Sequence, residues 1–241
     1  MMEPFIFGEK RLFGVYYPSI DYSSDTLIVV CPPLFDEYRR TYRALGEFAD
    51  ACAKKGHHAL RFDYSGTGDS GGMLEDISSI DAWLEDIDSA IEEGMNLSGA
   101  SQVCLVGVRW GGTLACLCQH DAVEKVMVWD WIKNGSDYTK WLREVDSILA
   151  DEHRPVAENA GVDPNTEDYR MFALAGPMLE SMDRVRIDEA QKTVTKFLSQ
   201  SEQNNGNLDE NSIRLNFKYD WPSFDGLIRP MLVLREMLDH L

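Results

Sequence analysis

Long apolar runs are missing from this 241-residue sequence, and its longest ones fall far short of the ~20 residues that a membrane helix requires. The first ten residues contain neither a basic segment nor an extended apolar one, so no secretory signal is visible. These two absences predict a protein that has no membrane span and is located in the cytoplasm.

Positive charge is also scarce, because 23 Lys and Arg residues stand against 41 Asp and Glu, which gives a net charge of −18. Binding to a phosphate backbone requires a basic face, so this balance argues against nucleic acid as a partner. Hydrophobic residues make up 44% of the chain and aromatic residues 10%, as in globular proteins. The length allows one sizeable core, or one domain with a large insertion. The oligomeric state is left open.

Cysteine is limited to five residues, and no spaced pair of metal ligands is present. Cys116 and Cys118 are separated by one residue, not by the two of a C-x-x-C motif, and no second pair accompanies them. An odd number of cysteines in apolar segments predicts reduced thiols within the core. The glycine-rich segment 64–72 lacks the G-K-[ST] of a phosphate-binding loop. We therefore expect neither a metal nor a cofactor.

One pattern, at residues 102–120, organises the rest of the chain. An apolar run over Val103–Val106 predicts a buried strand, and a helical pattern follows from Gly112. Between them stands Gly107-Val-Arg-Trp-Gly111, which has the spacing of the G-x-S-x-G nucleophile elbow with Arg109 in place of serine. The two glycines suit a tight turn. The pattern predicts the geometry of an elbow without its nucleophile.

Up to residue 130, predicted strands alternate with predicted helices. Residues 5–18 suggest an opening hairpin. Further strands are expected at 27–31, 58–63 and 125–129, with helices at 37–55 and 77–94. This alternation predicts an α/β fold with a doubly wound, mostly parallel sheet.

The pattern changes after residue 130, where we expect a helical cap inserted into the sheet domain. Helices are predicted at Tyr138–Leu149 and Ile187–Leu198, followed by a polar loop at 201–212. The alternation over Ile213–Tyr219 suggests a half-buried strand, and Arg229–Leu234 a core strand. The predicted domain organisation is a core at 1–136, a cap and polar loop at 137–212, and C-terminal core strands at 213–241.

Five stretches together resemble the α/β-hydrolase superfamily and, more narrowly, the exosortase A system-associated hydrolases, relatives of the serine aminopeptidase-like esterases. They are Cys31-Pro-Pro-Leu-Phe-Asp-Glu37, Phe62-Asp-Tyr-Ser-Gly-Thr-Gly-Asp-Ser70, the elbow, Trp129-Asp-Trp-Ile-Lys-Asn-Gly135 with Tyr138, and Arg229-Pro-Met-Leu-Val-Leu234. One branch of that family carries G-x-R-x-G at the elbow. The resemblance implies an α/β-hydrolase fold with a truncated C-terminus, and a bacterial setting linked to extracellular polysaccharide and protein sorting.

The family's catalytic roles transfer poorly to this sequence. The nucleophile position is Arg109, whose guanidinium is always protonated and has no lone pair to offer a carbonyl carbon. The position of the triad acid, after the strand expected at 229–234, falls on Asp239, with Glu236 nearby. The triad histidine should follow a further strand and loop, and the chain is expected to stop before either. A Ser-His-Asp relay needs all three groups within hydrogen-bond reach, so the resemblance predicts a pseudoenzyme.

The family's oxyanion donors are backbone N–H groups, which survive side-chain substitution. At the matching positions they belong to Leu34 and Trp110. A helix N-terminus favours an anion, and Arg109 adds a positive charge beside these donors. The resemblance therefore implies a site for a small anionic or acyl-bearing molecule.

Each candidate residue also has a purely structural explanation. Arg109 is expected to form a buried salt bridge with Asp239 or Asp63, to bind a ligand anion, or to serve a catalytic role not yet assigned. The pair Asp36 and Glu37 suggests a solvated turn or a group that orients a polar ligand, and the same alternatives hold for Asp130.

The loop Gly68-Asp-Ser-Gly-Gly72 matches the nucleophile motif of trypsin-like proteases, but it lacks their all-β context. A turn capped by Asp69 or Ser70 explains this loop better.

Three functions stay open: a triad-less binding protein, an esterase- or thioesterase-like hydrolase that activates water through Asp63 or Asp239, and a non-catalytic interaction protein that uses its cap.

Overall fold

The computed structural model of the chain describes residues 2–21, 24–145, 147, 174–187, 194–200, 210–218, 221 and 230–241. Eight strands form one sheet in the order β1-β2-β4-β3-β5-β6-β7-β8. They are β1 (Glu3–Phe7), β2 (Leu12–Tyr17), β3 (Thr26–Cys31), β4 (His58–Phe62), β5 (Gln102–Val108), β6 (Val123–Trp129), β7 (Val194–Gln200) and β8 (Ser212–Lys218). The opening hairpin pairs antiparallel and joins β4 antiparallel, whereas every other pairing is parallel. The predicted mostly parallel α/β fold is confirmed.

Within the described part of the chain, six α-helices flank the sheet on both faces. They are α1 (Phe35–Lys54), α2 (Asp81–Ser98), α3 (Trp110–Leu117), α4 (135–145), α5 (Gly176–Asp183) and α6 (Pro230–Leu238). Alternate residues of β3 show the two layers, because Ile28 and Val30 pack with α1 and α6 whereas Leu27 and Val29 pack with the other four helices. Successive side chains of a strand point to opposite faces, so one sheet serves two cores.

Helix α2 extends beyond its predicted end. Gly94 was expected to stop it but lies inside it, where an added Cβ would come within 2.5 Å of Leu27 Cδ2. The helix ends at Gly99, whose φ of 72° provides the left-handed cap. Gly94 therefore serves close packing of α2 on β3, not termination.

Two elements predicted in the C-terminal half are wrong. Residues 194–200 form the strand β7, not the end of a helix, because the β-branched run from Thr193 to Thr195 suits a strand paired to β6. Residues 230–238 form α6, not a core strand. Pro230 is its first residue, the leucines, methionines and Arg235 that follow are strong helix formers, and Val233, Leu234 and Met237 are buried.

These corrections change the predicted organisation of the chain. Among the described residues, the segment 137–212 contributes the strand β7 as well as helical residues of α4 and α5, and 213–241 contributes most of β8 and the helix α6. We expected the chain to stop before the further strand that precedes the triad histidine in the hydrolase resemblance. This expectation is wrong, because β8 follows β7 and pairs with it. Within the described ranges, no helix is both long and apolar enough to cross a membrane.

Candidate functional site

The predicted elbow is present between β5 and α3. Arg109 has φ 53° and ψ −120°, a conformation that L-residues rarely adopt. The glycines on either side permit it: a Cβ on Gly107 would lie 2.4 Å from Gly112 Cα, and one on Gly111 would lie 2.2 Å from the oxygen of Pro32. The elbow is therefore a tight turn pressed against the loop after β3.

Strained backbone is concentrated at this edge of the sheet. Four non-glycine residues of the described chain have positive φ, and three of them follow neighbouring parallel strands: Phe35 after β3, Arg109 after β5 and Asp130 after β6. The carboxyl edge of a parallel sheet is where such folds place their ligands. Strain of this kind clusters at functional sites.

Arg109 is held by an ion pair with Glu37. Its Nε donates to Glu37 Oε1 at 2.8 Å, and its Nη1 donates to the carbonyl of Asp130 at 3.1 Å. The side chain of Glu37 is 1% exposed and that of Arg109 13%. The predicted pairing of Arg109 with Asp239 or Asp63 is therefore wrong, and Glu37 is a buried partner instead of part of a solvated turn.

Glu37 also connects the elbow to helix α4. Its Oε2 accepts a hydrogen bond from the hydroxyl of Tyr138, in α4, at 3.0 Å. The ring of Tyr138 stacks on Trp110, with centroids 5.3 Å apart and planes at 9°. Both rings are buried, so α4 is joined to the elbow by a stacked pair and, through Glu37, by a hydrogen bond.

Electrostatics keeps Arg109 charged and Tyr138 neutral. Burial acts to lower the pKa of Arg109, but the charge of Glu37 and the hydrogen bond to it outweigh burial, so the pKa is raised. Burial, together with the charge of Glu37, raises the pKa of Tyr138 well above its ordinary value. The hydroxyl of Tyr138 therefore donates to Glu37 and does not act as a base.

Trp221 covers the other side of the guanidinium. Its ring centroid lies 5.0 Å from Arg109 Cζ, within the range of a cation–π interaction. Its Nε1 donates to Asp130 Oδ2 at 2.9 Å, and its carbonyl accepts from Arg40 Nη2 at 2.7 Å. Trp221 follows β8, after which the hydrolase resemblance assigns the triad histidine, and the sequence has no histidine between residues 213 and 239.

The two predicted oxyanion donors lie at the starts of two helices. Leu34 is the N-cap of α1, and Trp110 is the first residue of α3. N–H groups in these positions have no acceptor within their own helix. Because Gly111 touches the loop after β3, the two helix N-termini converge beside Arg109.

Asp239 lies away from this site. It is exposed after α6, and its Oδ1 is 3.0 Å from Lys55 Nζ. Lys55 caps the C-terminal end of α1, about 27 Å along that helix from Glu37. The structure therefore does not bring the predicted acid, Asp239, to Arg109.

Asp63 follows β4 at the same edge, but its carboxylate is engaged by α1 and by its own loop. Its Oδ1 accepts from the hydroxyl of Tyr38 and its Oδ2 from the N–H of Asp69 at 2.9 Å. Burial raises the pKa of Asp63 against the effect of these hydrogen bonds. The predicted turn is confirmed, with Ser70 Oγ donating to the carbonyl of Asp63 at 2.6 Å.

None of the described histidines hydrogen-bonds to Arg109. His58 begins β4 at the opposite edge of the sheet, with Nδ1 2.5 Å from the hydroxyl of Tyr16. His57 precedes it, His120 follows the C-terminal end of α3, and His240 follows α6. All five cysteines are free thiols, and no group of His, Cys, Asp or Glu in the described ranges is arranged to hold a metal.

The sequence located Arg109, Leu34 and Trp110, but not the role of Glu37 or Trp221. An acidic residue in the first turn of a helix is commonly exposed, so Glu37 carried no signal of burial. Trp221 lies 112 positions from Arg109. Only its place after a predicted strand could have suggested that it reaches the elbow.

A family model described as serine aminopeptidase, S33, matches residues 25–129, somewhat less than half of the chain. The matched segment runs from β3 to the end of β6 and includes the elbow. No curated protein is significantly similar to the chain.

Several solved structures share the fold at low identity. A hypothetical protein from Pseudomonas aeruginosa is 15% identical, with a TM-score of 0.56 over 83% of this chain and 77% of its own. The bottromycin epimerase BotH, in complex with bottromycin A2, is 16% identical, with a TM-score of 0.56 over 99% and 97%. Proline iminopeptidase from Mycobacterium smegmatis is 11% identical, with a TM-score of 0.55 over 100% and 97%.

Proposed function

We propose that this chain, which has the α/β-hydrolase fold, binds a small acyl-bearing or anionic molecule beside Arg109 and lacks serine-hydrolase chemistry. The observation that carries the proposal is the backbone of Arg109, which keeps the strained conformation of an elbow although the nucleophile is gone. Such a conformation costs about 1–3 kcal/mol and persists where the surrounding structure imposes it, typically at ligand sites.

Hydrolysis by a triad is not supported at this site. The nucleophile position holds a guanidinium paired to Glu37. Trp221, which follows β8, lies over this guanidinium. The pair that would generate a nucleophile is thus replaced by a cation–π pair, which transfers no proton.

Binding, by contrast, is supported by the backbone. The N–H groups of Leu34 and Trp110 stand at the starts of α1 and α3, at the positions that the hydrolase resemblance assigns to the oxyanion donors, and the close contact of Gly111 with the loop after β3 supports a shared site for them. The ion pair of Arg109 with Glu37 holds the elbow in place and leaves these donors available. We place the protein in the cytoplasm, as an exosortase system-associated homologue, as part of the same proposal.

The two rival functions have less support. Water activation by Asp63 requires its carboxylate to be available near the oxyanion donors, whereas its two oxygens already accept hydrogen bonds from the Tyr38 hydroxyl in α1 and from the N–H of Asp69. A docking role for the cap requires exposed apolar surface, and no large apolar side chain of α4 or α5 in the described chain is exposed. The epimerase BotH shows that proteins of this fold are not confined to hydrolysis.

The test combines turnover with ligand binding. We expect no hydrolysis of p-nitrophenyl butyrate or of an acyl thioester above the uncatalysed rate, and no labelling by a fluorophosphonate. Short-chain carboxylates should raise the melting temperature of the wild type by mass action. Arg109→Lys keeps the charge opposite Glu37 but cannot also hold the carbonyl of Asp130 as the planar guanidinium does, so it should loosen the elbow and weaken carboxylate binding about tenfold.

Arg61→Lys is the matched control, because Arg61 is also a buried arginine, stacked on Tyr42 at 4.0 Å, but lies outside the site. It should leave carboxylate binding unchanged. Turnover that depends on Arg109 would establish a hydrolase. A melting temperature that no carboxylate, phosphate or acyl ester shifts would refute the binding proposal.

A further inference from the structure

We infer that the ligand carries a free carboxylate, and that the indole N–H of Trp110 binds one of its two oxygens. This inference rests on the proposed function and specifies its ligand. The backbone donors of Leu34 and Trp110 would hold the other oxygen, in the position that a carbonyl takes in a hydrolase.

The indole of Trp110 is a buried donor without an acceptor. The residue is 0% exposed, and its Nε1 has no hydrogen-bond partner. Buried polar groups are nearly always paired, so an orphaned donor calls for an explanation such as an absent ligand. Trp83 shows the ordinary arrangement, because it is equally buried and its Nε1 donates to the carbonyl of Ser65 at 3.2 Å.

This donor belongs to the elbow itself. Trp110 follows Arg109 directly, and its ring stacks on Tyr138, whose hydroxyl is 3.0 Å from Glu37. Trp110 therefore offers two donors to the site, its backbone N–H at the start of α3 and its ring N–H. Glu37 does not take the ring N–H: its two oxygens accept from Arg109 and Tyr138, and Trp110 Nε1 has no hydrogen-bond partner.

The number of donors favours a carboxylate over an ester. An ester presents one good acceptor, its carbonyl oxygen, which two backbone N–H groups satisfy. A carboxylate presents two oxygens with about four lone-pair sites, enough for a third donor. Its charge is also favoured by the positive ends of α1 and α3.

The experiment compares hexanoate with methyl hexanoate by calorimetry on the full chain. The wild type should bind hexanoate at least tenfold more tightly. Trp110→Phe keeps a ring for stacking on Tyr138 but removes the N–H donor with the rest of the pyrrole ring, so it should weaken hexanoate binding about tenfold and methyl hexanoate binding much less.

Trp131→Phe is the control, because Trp131 Nε1 is also buried and unpartnered but its ring packs near Lys133 and Lys196. This variant should bind hexanoate like the wild type. If Trp110→Phe also binds like the wild type, the inference about the indole is overturned and the proposed function stands. If the wild type binds neither probe, the proposed function fails.

NMR tests the indole donor directly in the wild type, so this test does not depend on hexanoate binding by a variant. The chain has six tryptophans, and their indole N–H resonances can be assigned by single Trp→Phe substitutions. Saturation with hexanoate should shift the resonance of Trp110 downfield, as a new hydrogen bond to an anion does, more than that of Trp83. A Trp110 resonance that stays in place while hexanoate binds would contradict the inference.

Discussion

At the scale of single residues, the site combines a buried charge with a strained backbone. Removing the ion pair of Arg109 and Glu37 from water costs several kcal/mol per ion, which the close contact and the additional hydrogen bonds offset. These bonds come from Tyr138 to Glu37 and from Arg109 to the carbonyl of Asp130. Such a pair contributes little net stability, but the loss of one partner leaves a buried charge without compensation.

A double-mutant cycle should therefore show strong coupling between Arg109 and Glu37. We expect Arg109→Met to lower the free energy of unfolding by about 3–5 kcal/mol, because Glu37 is left buried and unpaired. Adding Glu37→Gln should restore most of this loss. Urea unfolding at pH 7 measures the two single variants, Arg109→Met and Glu37→Gln, and the double variant against the wild type.

The exposed pair of Lys54 and Asp50 is the control for this cycle, since its side chains are 68% and 51% exposed. Its coupling should stay below about 1 kcal/mol, as for surface salt bridges in general. Additive losses in the Arg109 and Glu37 cycle would show that the two charges do not depend on each other.

The residues that the sequence could identify are those fixed by local chain geometry. Gly107 and Gly111 flank a turn that only small residues permit, so the elbow was predictable from spacing alone. The partner of Arg109 was not, because Glu37 reaches it only after α1 and α3 have packed against the same strands. Long-range pairing of charges leaves no periodic trace in a sequence.

At the scale of elements, the site exists because two helices start at one point. The first turn of α3 lies against the end of β3, where a Cβ on Gly111 would be 2.3 Å from the carbonyl of Cys31. That contact places the N–H of Trp110 near the loop that carries Leu34. A side chain at residue 111 would separate the two N-termini.

Alanine substitutions along this contact should show graded effects. Gly111→Ala meets backbone oxygens at 2.2 and 2.3 Å and should destabilise the protein by several kcal/mol, since backbone cannot give way cheaply. The Cβ of Gly112→Ala would meet its nearest atom at 3.2 Å, so this variant should lose less stability. Gly176→Ala, the control, has nothing within 4 Å, and we expect no loss.

Thermal and urea unfolding rank the three variants. If Gly111→Ala does not fold, Gly112→Ala still tests the interpretation, because its stability should be lower than that of the wild type. Equal stability of Gly112→Ala and Gly176→Ala would contradict it.

The elements that were predicted correctly lie where the periodic pattern and the flanking residues agree. Strand β3 was found because its apolar run ends before Pro32, and helix α1 because its apolar spacing ends before Gly56. Strand β7 was missed because the apolar spacing from Ile187 to Leu198 also fits a helix, and α6 because Leu and Val at 232–234 resemble a core strand. In both places tertiary packing decided between two patterns that the sequence allows.

At the scale of the whole molecule, the net charge of −18 acts on a single eight-stranded domain. Excess charge of one sign keeps a protein soluble but destabilises its compact state through self-repulsion. The pairs that matter at the site are buried, so salt screens them less than it screens the surface. Added salt should therefore relieve repulsion without loosening the elbow.

We expect the protein to become more stable as salt is added at low ionic strength. From 0.01 M to 0.15 M KCl the Debye length falls from about 30 to about 8 Å, which screens repulsion across the surface. A gain of about 1 kcal/mol would raise the melting temperature by roughly 2–4 °C for a chain of this size. Glu92→Gln with Glu124→Gln removes two exposed charges and should reduce the salt effect. A melting temperature that falls with KCl would mean that surface ion pairs outweigh repulsion. As a control, NaCl in place of KCl should give the same dependence of melting temperature on salt if the effect is screening.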